Sequence, residues 1–307
     1  DGEDEGPTME YRVVPIDDPV EMPAAQIVED NPVHKYEIIE SPVKKIRVGY
    51  LMYNSFTAGT KAEPEKYNNE LRSVSQKFKE AGVQAVILDL RYNEGGSMDC
   101  VQLLGTILTS ADRLGEPMAY LEYNDKNTDK DATILFGTDR EINLNLHSLI
   151  AITSGTTMGA PEMLIRSLFL EDTYPIATVG SSTKGQNVAT EQFINEEFLW
   201  SVNPVVCTVY NSQHDTYGAI SPATDLKISE TTIDKSTNYS EFLPFGTFDK
   251  DGKSERLLKI AIGVLDGTYP PKDDETPEES TTQTRFKVEK SVSSPASRRF
   301  SSKGLRL

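Results

Sequence analysis

Val86-Ile-Leu-Asp-Leu-Arg-Tyr-Asn-Glu-Gly-Gly96 is the stretch that decides the fold. Its first five residues, Val86 to Leu90, form a short and mostly apolar run, the pattern of a strand covered on both faces. The rest is a polar turn ending in paired glycines, and Val101, Leu104 and Leu108 beyond it fall at helical spacing. A buried strand that turns into an amphipathic helix is the repeating unit of an α/β sheet.

The unit recurs on both sides. Upstream, Ile46 to Tyr53 reads as a strand and Pro64 to Ala81 as a helix, with Tyr67, Leu71, Val74 and Phe78 on one face and Gly82 placed to end it. Downstream, Met118 to Tyr123 reads as a strand, followed by a polar excursion from Asn124 to Asp131. Leu149 to Thr153 reads as a buried strand, Pro161 to Leu170 as a helix and Ile176 to Val179 as a strand. Phe193 to Tyr210 reads as a hairpin in which Trp200 packs, and Arg256 to Leu265 as a closing helix. The predicted fold class is therefore α/β, with strands and helices alternating.

The ends differ from this body. Asp1 to Pro7 is acidic, Tyr11 to Ile16 suits a short strand, and Pro15, Pro19, Pro23 and Pro32 punctuate an extended connector. From Pro270 onward Pro, Ser, Thr and charge dominate, and the charges turn basic after Ser280. The expected organisation is an N-terminal segment and connector over 1–45, a core over 46–269 and a tail over 270–307. The tail is either flexible or docked on the acidic body.

Composition removes several function classes. With 37% hydrophobic residues in 307, wholesale disorder is excluded. Lys and Arg number 31 against 48 Asp and Glu, a net charge of −17. That balance argues against nucleic acid as a partner and against docking on anionic lipid, both of which draw on Lys and Arg. Two cysteines, Cys100 and Cys207, cannot make a disulfide framework or a cysteine-rich zinc site, although one bridge between them is open. His34, His147 and His214 form no spaced pair, so neither a metal nor a cofactor is expected. No apolar run approaches the ~20 residues of a transmembrane helix.

Three turns could carry chemistry. In Asp89-Leu-Arg-Tyr-Asn-Glu-Gly-Gly96 the glycines would let a ligand approach the backbone and meet its N–H groups, unless this is a plain strand-to-helix turn. In Thr153-Ser-Gly-Thr-Thr-Met-Gly-Ala-Pro-Glu162 the hydroxyls stand before a helix, where nucleophiles are displayed but where Ser and Thr also serve simply as caps. In Val179-Gly-Ser-Ser-Thr-Lys-Gly-Gln-Asn-Val188, Lys184 is a general base if desolvated and otherwise a surface charge.

Taken together, and in this order, the three turns resemble the C-terminal processing (tail-specific) serine peptidases. Gly49-Tyr-Leu-Met-Tyr-Asn-Ser-Phe56, Val209-Tyr-Asn211, Ile220-Ser-Pro222 and Leu243-Pro-Phe-Gly246 add a likeness to the branch typical of Bacteroidetes. The resemblance spans about residues 30–266. It implies a crotonase-like α/β core, a polypeptide substrate, and export to the periplasm or anchoring as an outer-membrane lipoprotein. A PDZ-like domain often precedes such a core, and only a remnant of one would fit here.

The resemblance also implies a serine–lysine dyad, and this sequence departs from it. The position matching the serine is Gly159, and the position matching the lysine is Gln186, with Lys184 two residues early. The oxyanion or peptide-binding elements, Gly95, Gly96 and the amide of Ala160, are retained. The expectation is a weak or inactive member that keeps its peptide-binding cleft. An active enzyme using a shifted hydroxyl (Ser154, Thr156 or Thr157) with Lys184, or a non-enzymatic peptide-binding adaptor, are the alternatives. A single introduced change at 159 would leave Gln186 unexplained.

Overall fold

The computed structural model describes residues 24, 29–223, 226, 246–247, 255–269 and 304–307. The chain divides into two units, Asp1–Asp30 and Asn31–Leu307, and the account below concerns the second. Tyr11 to Ile16 and most of the predicted tail lie outside the described residues.

The decisive run takes the central place its composition predicts. One sheet has five strands in the order β1 (Val33–Glu40), β2 (Arg47–Tyr53), β3 (Ala85–Asp89), β7 (Leu149–Thr153), β8 (Ile176–Gly180). From β2 to β8 the pairing is parallel, and β1 closes one edge antiparallel. Helices cover both faces, which is why these strands show near-continuous apolar runs. Val48, Tyr50, Met52, Ile87, Ile150 and Ile152 cluster with α4 (Arg256–Asp266). Leu51, Tyr53, Val86, Leu88 and Ala151 cluster with α1 (Lys66–Glu80), α2 (Met98–Leu108) and α3 (Ala160–Leu168). The stripe Tyr67, Leu71, Val74, Phe78 on α1 is buried, as its spacing requires.

A second, six-stranded sheet has the order β4 (Gly95–Ser97), β13 (Gly304–Arg306), β9 (Val188–Thr190), β12 (Val205–Tyr210), β5 (Pro117–Tyr123), β6 (Ala132–Leu135). Here β13 runs parallel to both of its neighbours, whereas β12 pairs antiparallel with β9 and with β5. Leu305 at its centre is only 1% exposed, which contributes about 1.5–3 kcal/mol of apolar burial.

Several expectations need correction. Val33–Glu40 is a strand, not connector: beyond Pro32 its β-branched and aromatic residues find a partner in β2. Residues 304–306 belong to the core and not to a loose tail, because a groove between β4 and β9 supplies the partners that a three-residue segment lacks alone. The hairpin is shorter than predicted. It joins β10 (Phe193–Asn195) to β11 (Trp200–Val202), while β12 leaves for the six-stranded sheet and Trp200 is half-exposed.

Cys100 and Cys207 are both free and buried, so no bridge joins them. Burial pushes the Cys100 thiol up to about 12 and the Cys207 thiol up to about 11. Burial raises the hydroxyls of Tyr50, Tyr53 and Tyr174 in the same direction. The folded chain thus holds these protons more tightly than the unfolded chain, whose thiols titrate near ~8.5. Their contribution to stability is complete below that value and is lost as pH rises toward 12. The urea midpoint is expected to fall steadily between about pH 8.5 and 11, and a flat profile in urea melts would contradict the assignment.

Candidate active site

The first turn is set by charge. Asp89, at the end of β3, accepts from the Tyr50 hydroxyl at 2.7 Å and from Arg91 Nε at 2.9 Å. Arg91 reaches across to Glu255 at 3.0 and 3.1 Å, and Glu255 in turn accepts the Leu257 and Leu258 N–H groups that open α4. All three charges are buried. Asn93 completes the turn: its Nδ2 donates to Tyr53 O at 2.9 Å, and its Oδ1 accepts from Gly95 N at 3.0 Å.

The paired glycines then admit a backbone on each side of β4. An added Cβ at Gly96 would lie 2.2 Å from Phe56 O, and one at Gly95 would lie 2.0 Å from Gly304 O. The Gly95 N–H is committed to Asn93 Oδ1.

In the second turn the hydroxyls hold the loop. Ser154 Oγ and Thr156 Oγ1 both donate to Arg91 O, and Thr157 Oγ1 donates to Leu90 O at 2.9 Å. The second turn is thereby tied to the first. Gly159 follows at φ 70° and ψ −104°, a strand-to-helix corner that glycine adopts without strain, and Ala160 begins α3 with a backbone N–H that has no partner inside the helix.

Glu162 links the second turn to the third. Fully buried, it accepts from Gly159 N at 2.8 Å, Gln186 N at 2.9 Å, Gly185 N and the Thr183 hydroxyl. Thr183 Oγ1 accepts in turn from Ile220 N. This carboxylate brings Gly159 and Gln186 together, although they are far apart in sequence. Lys184 is exposed, whereas a lysine base needs desolvation, and its backbone N–H donates to Thr157 O at 3.1 Å.

The strand β13 lies between these parts. Gly304 N donates to Glu94 O at 2.7 Å, Thr190 Oγ1 donates to Leu305 O at 3.2 Å, and Leu307 N donates to Thr190 O at 3.1 Å. A Cβ at Gly159 would sit 2.5 Å from Leu305 N and 2.6 Å from Gly304 Cα. The structure therefore brings together Gly95, Gly96, Gly159 and Gln186 around a strand that sequence reasoning did not anticipate. Nothing in a Ser-rich basic segment marks residues 304–306 as a strand.

The model of peptidase family S41 matches residues 47–203, which hold all three turns. The chain belongs to peptidase family S41. Among solved structures, a candidate S41 protease from Bacteroides fragilis is 36% identical, with a TM-score of 0.68 over 80% of this chain. The present chain spans 60% of the length of that protein. The photosystem II D1 C-terminal processing protease is 17% identical, covers 68% of this chain and 51% of its own, and has a TM-score of 0.49. A candidate peptidase from Parabacteroides merdae is 18% identical, covers 76% and 66% respectively, and has a TM-score of 0.44. No curated protein matches. The fold is mixed α/β. No helix among the described residues is long and apolar enough to cross a membrane.

Proposed function

We propose that this S41 chain is a degenerate serine-type peptidase with a crotonase-like core. It holds an extended polypeptide segment between β4 and β9 and hydrolyses it weakly or not at all. One observation carries the reading: the strand-to-helix corner where the family likeness places a serine is Gly159, which has no side chain, and the residue brought beside it by Glu162 is Gln186. Glutamine is no base at neutral pH, and loss of a nucleophile costs several orders of magnitude in rate. The engaged hydroxyls of Ser154, Thr156 and Thr157 and the exposure of Lys184 speak against a shifted dyad.

Incubating pure protein with casein and with labelled peptides tests this. The expected result is no hydrolysis above buffer and no labelling by a fluorophosphonate probe. Turnover that Ser154→Ala or Thr157→Val abolishes would establish the shifted-hydroxyl enzyme instead. Location in the periplasm or as an outer-membrane lipoprotein, and a remnant of a PDZ-like domain within residues 1–45, belong to the same proposal. Fractionating cells that express the full-length precursor checks the location, and a cytosolic pool would contradict it.

A further inference from the structure

The peptide-holding reading does not say which segment the groove selects, and the chain's own residues bear on it. Gly304, Leu305 and Arg306 pair in parallel with Gly95, Gly96 and Ser97 on one side, and Leu305 and Arg306 pair with Ala189 and Thr190 on the other. Strand addition supplies main-chain hydrogen bonds, and alternate side chains then set specificity. Both positions where the family dyad is missing take part in that specificity. Gly159 leaves the space that the backbone of 304–305 fills. Gln186 lies over the open side of Gly304, where an added Cβ would come 2.3 Å from its Oε1. Gly304 itself sits at φ +99°, a region that side chains disfavour. Leu305 is taken into the main hydrophobic core, while Leu307 emerges into solvent.

We propose that the groove is a strand-receiving site selective for a glycine followed by an apolar residue, filled in cis by residues 304–306, with Gly159 and Gln186 as its specificity-determining residues. The inference rests on the peptide-holding reading above. A peptide from another protein enters only by displacing this segment, and only if it carries glycine at the matching position.

Two readouts test it. The first is amide hydrogen exchange of Gly304 and Leu307, the donors to Glu94 O and Thr190 O. In the full chain these amides are protected by ~10²-fold or more over an unstructured segment. Gly304→Ala abolishes that protection while the far-UV spectrum is kept. Unprotected amides in the full chain would overturn filling in cis. The second readout is fluorescence anisotropy of a labelled Ser-Ser-Lys-Gly-Leu-Arg-Leu peptide against a chain ending at residue 303, or against Gly304→Ala should the shortened chain not fold. The peptide binds the opened groove at least ~10-fold more tightly than it binds the full chain, and its Gly→Ala version loses at least ~10-fold. Equal binding of the two peptides would overturn the glycine selectivity and leave the peptide-holding reading standing. Binding of neither peptide, with protected amides in the full chain, would make β13 purely structural and overturn both.

Discussion

Gly159→Ser combined with Gln186→Lys is expected to remain inactive in the full chain and to gain peptide hydrolysis once residues 304–307 are also removed. On the proposed reading, serine at 159 supplies the missing nucleophile and lysine at 186 the base. In the full chain, however, the new Cβ meets Leu305 N at 2.5 Å, and the longer side chain at 186 enters space bounded by Gly304. On the proposed reading, substrate would compete with β13 for the two edges that β13 occupies. Because removing such a pair costs roughly 10³–10⁶-fold in rate, restoring it in the opened groove should raise turnover of a fluorogenic peptide by at least ~10³-fold. Equal activity in the full and shortened double variants would mean that β13 is no obstacle. Activity in neither would mean that the groove has lost more than its dyad.

Arg91→Met is expected to destabilise the fold by about 3–5 kcal/mol, the usual cost of leaving a buried charge without its partner. Arg91 stands between Asp89 and Glu255, both buried, and bonds each through two nitrogens. Burial works against its charge, but the two carboxylates outweigh this and hold the guanidinium firmly protonated. Removing it sets two carboxylates against each other, one ending β3 and one capping α4. Arg91→Lys should recover only part of the loss, since a point charge cannot bridge both in the planar, bidentate way. Urea denaturation at neutral pH measures both variants, and a loss under about 1 kcal/mol for Arg91→Met would contradict the buried-triad account.

The parallel core was legible because burial on both faces leaves a direct trace in composition, as in Val86 to Leu90 and Leu149 to Thr153. The helix α1 was legible because its stripe of Tyr67, Leu71, Val74 and Phe78 runs along one face. Short edge elements left weaker traces. Ala132–Leu135 follows an excursion of polar residues and is largely exposed, so neither alternation nor apolarity marks it. At the candidate site, the three turns could be read from their glycines and hydroxyls, and Gly159 and Gln186 could be read as standing where the family likeness places a serine and a lysine. Glu162 as the link between those positions was not visible, because its partners are backbone N–H groups brought in by the fold. Nor was β13, whose pairing depends wholly on partners distant in sequence.

That distance has a consequence for how the molecule reaches its native state. Pairing Gly95–Ser97 with Gly304–Arg306 closes a loop across most of the chain, and loop entropy makes such long-range contacts slow to form. A refolding molecule therefore passes through a stage in which β4 and β9 present unpaired edges while its own plug is still free. Unpaired edges accept any matching strand. At high concentration the nearest match is the same segment of a second copy, so refolding at high concentration favours dimers that exchange residues 304–306, each chain closing the other.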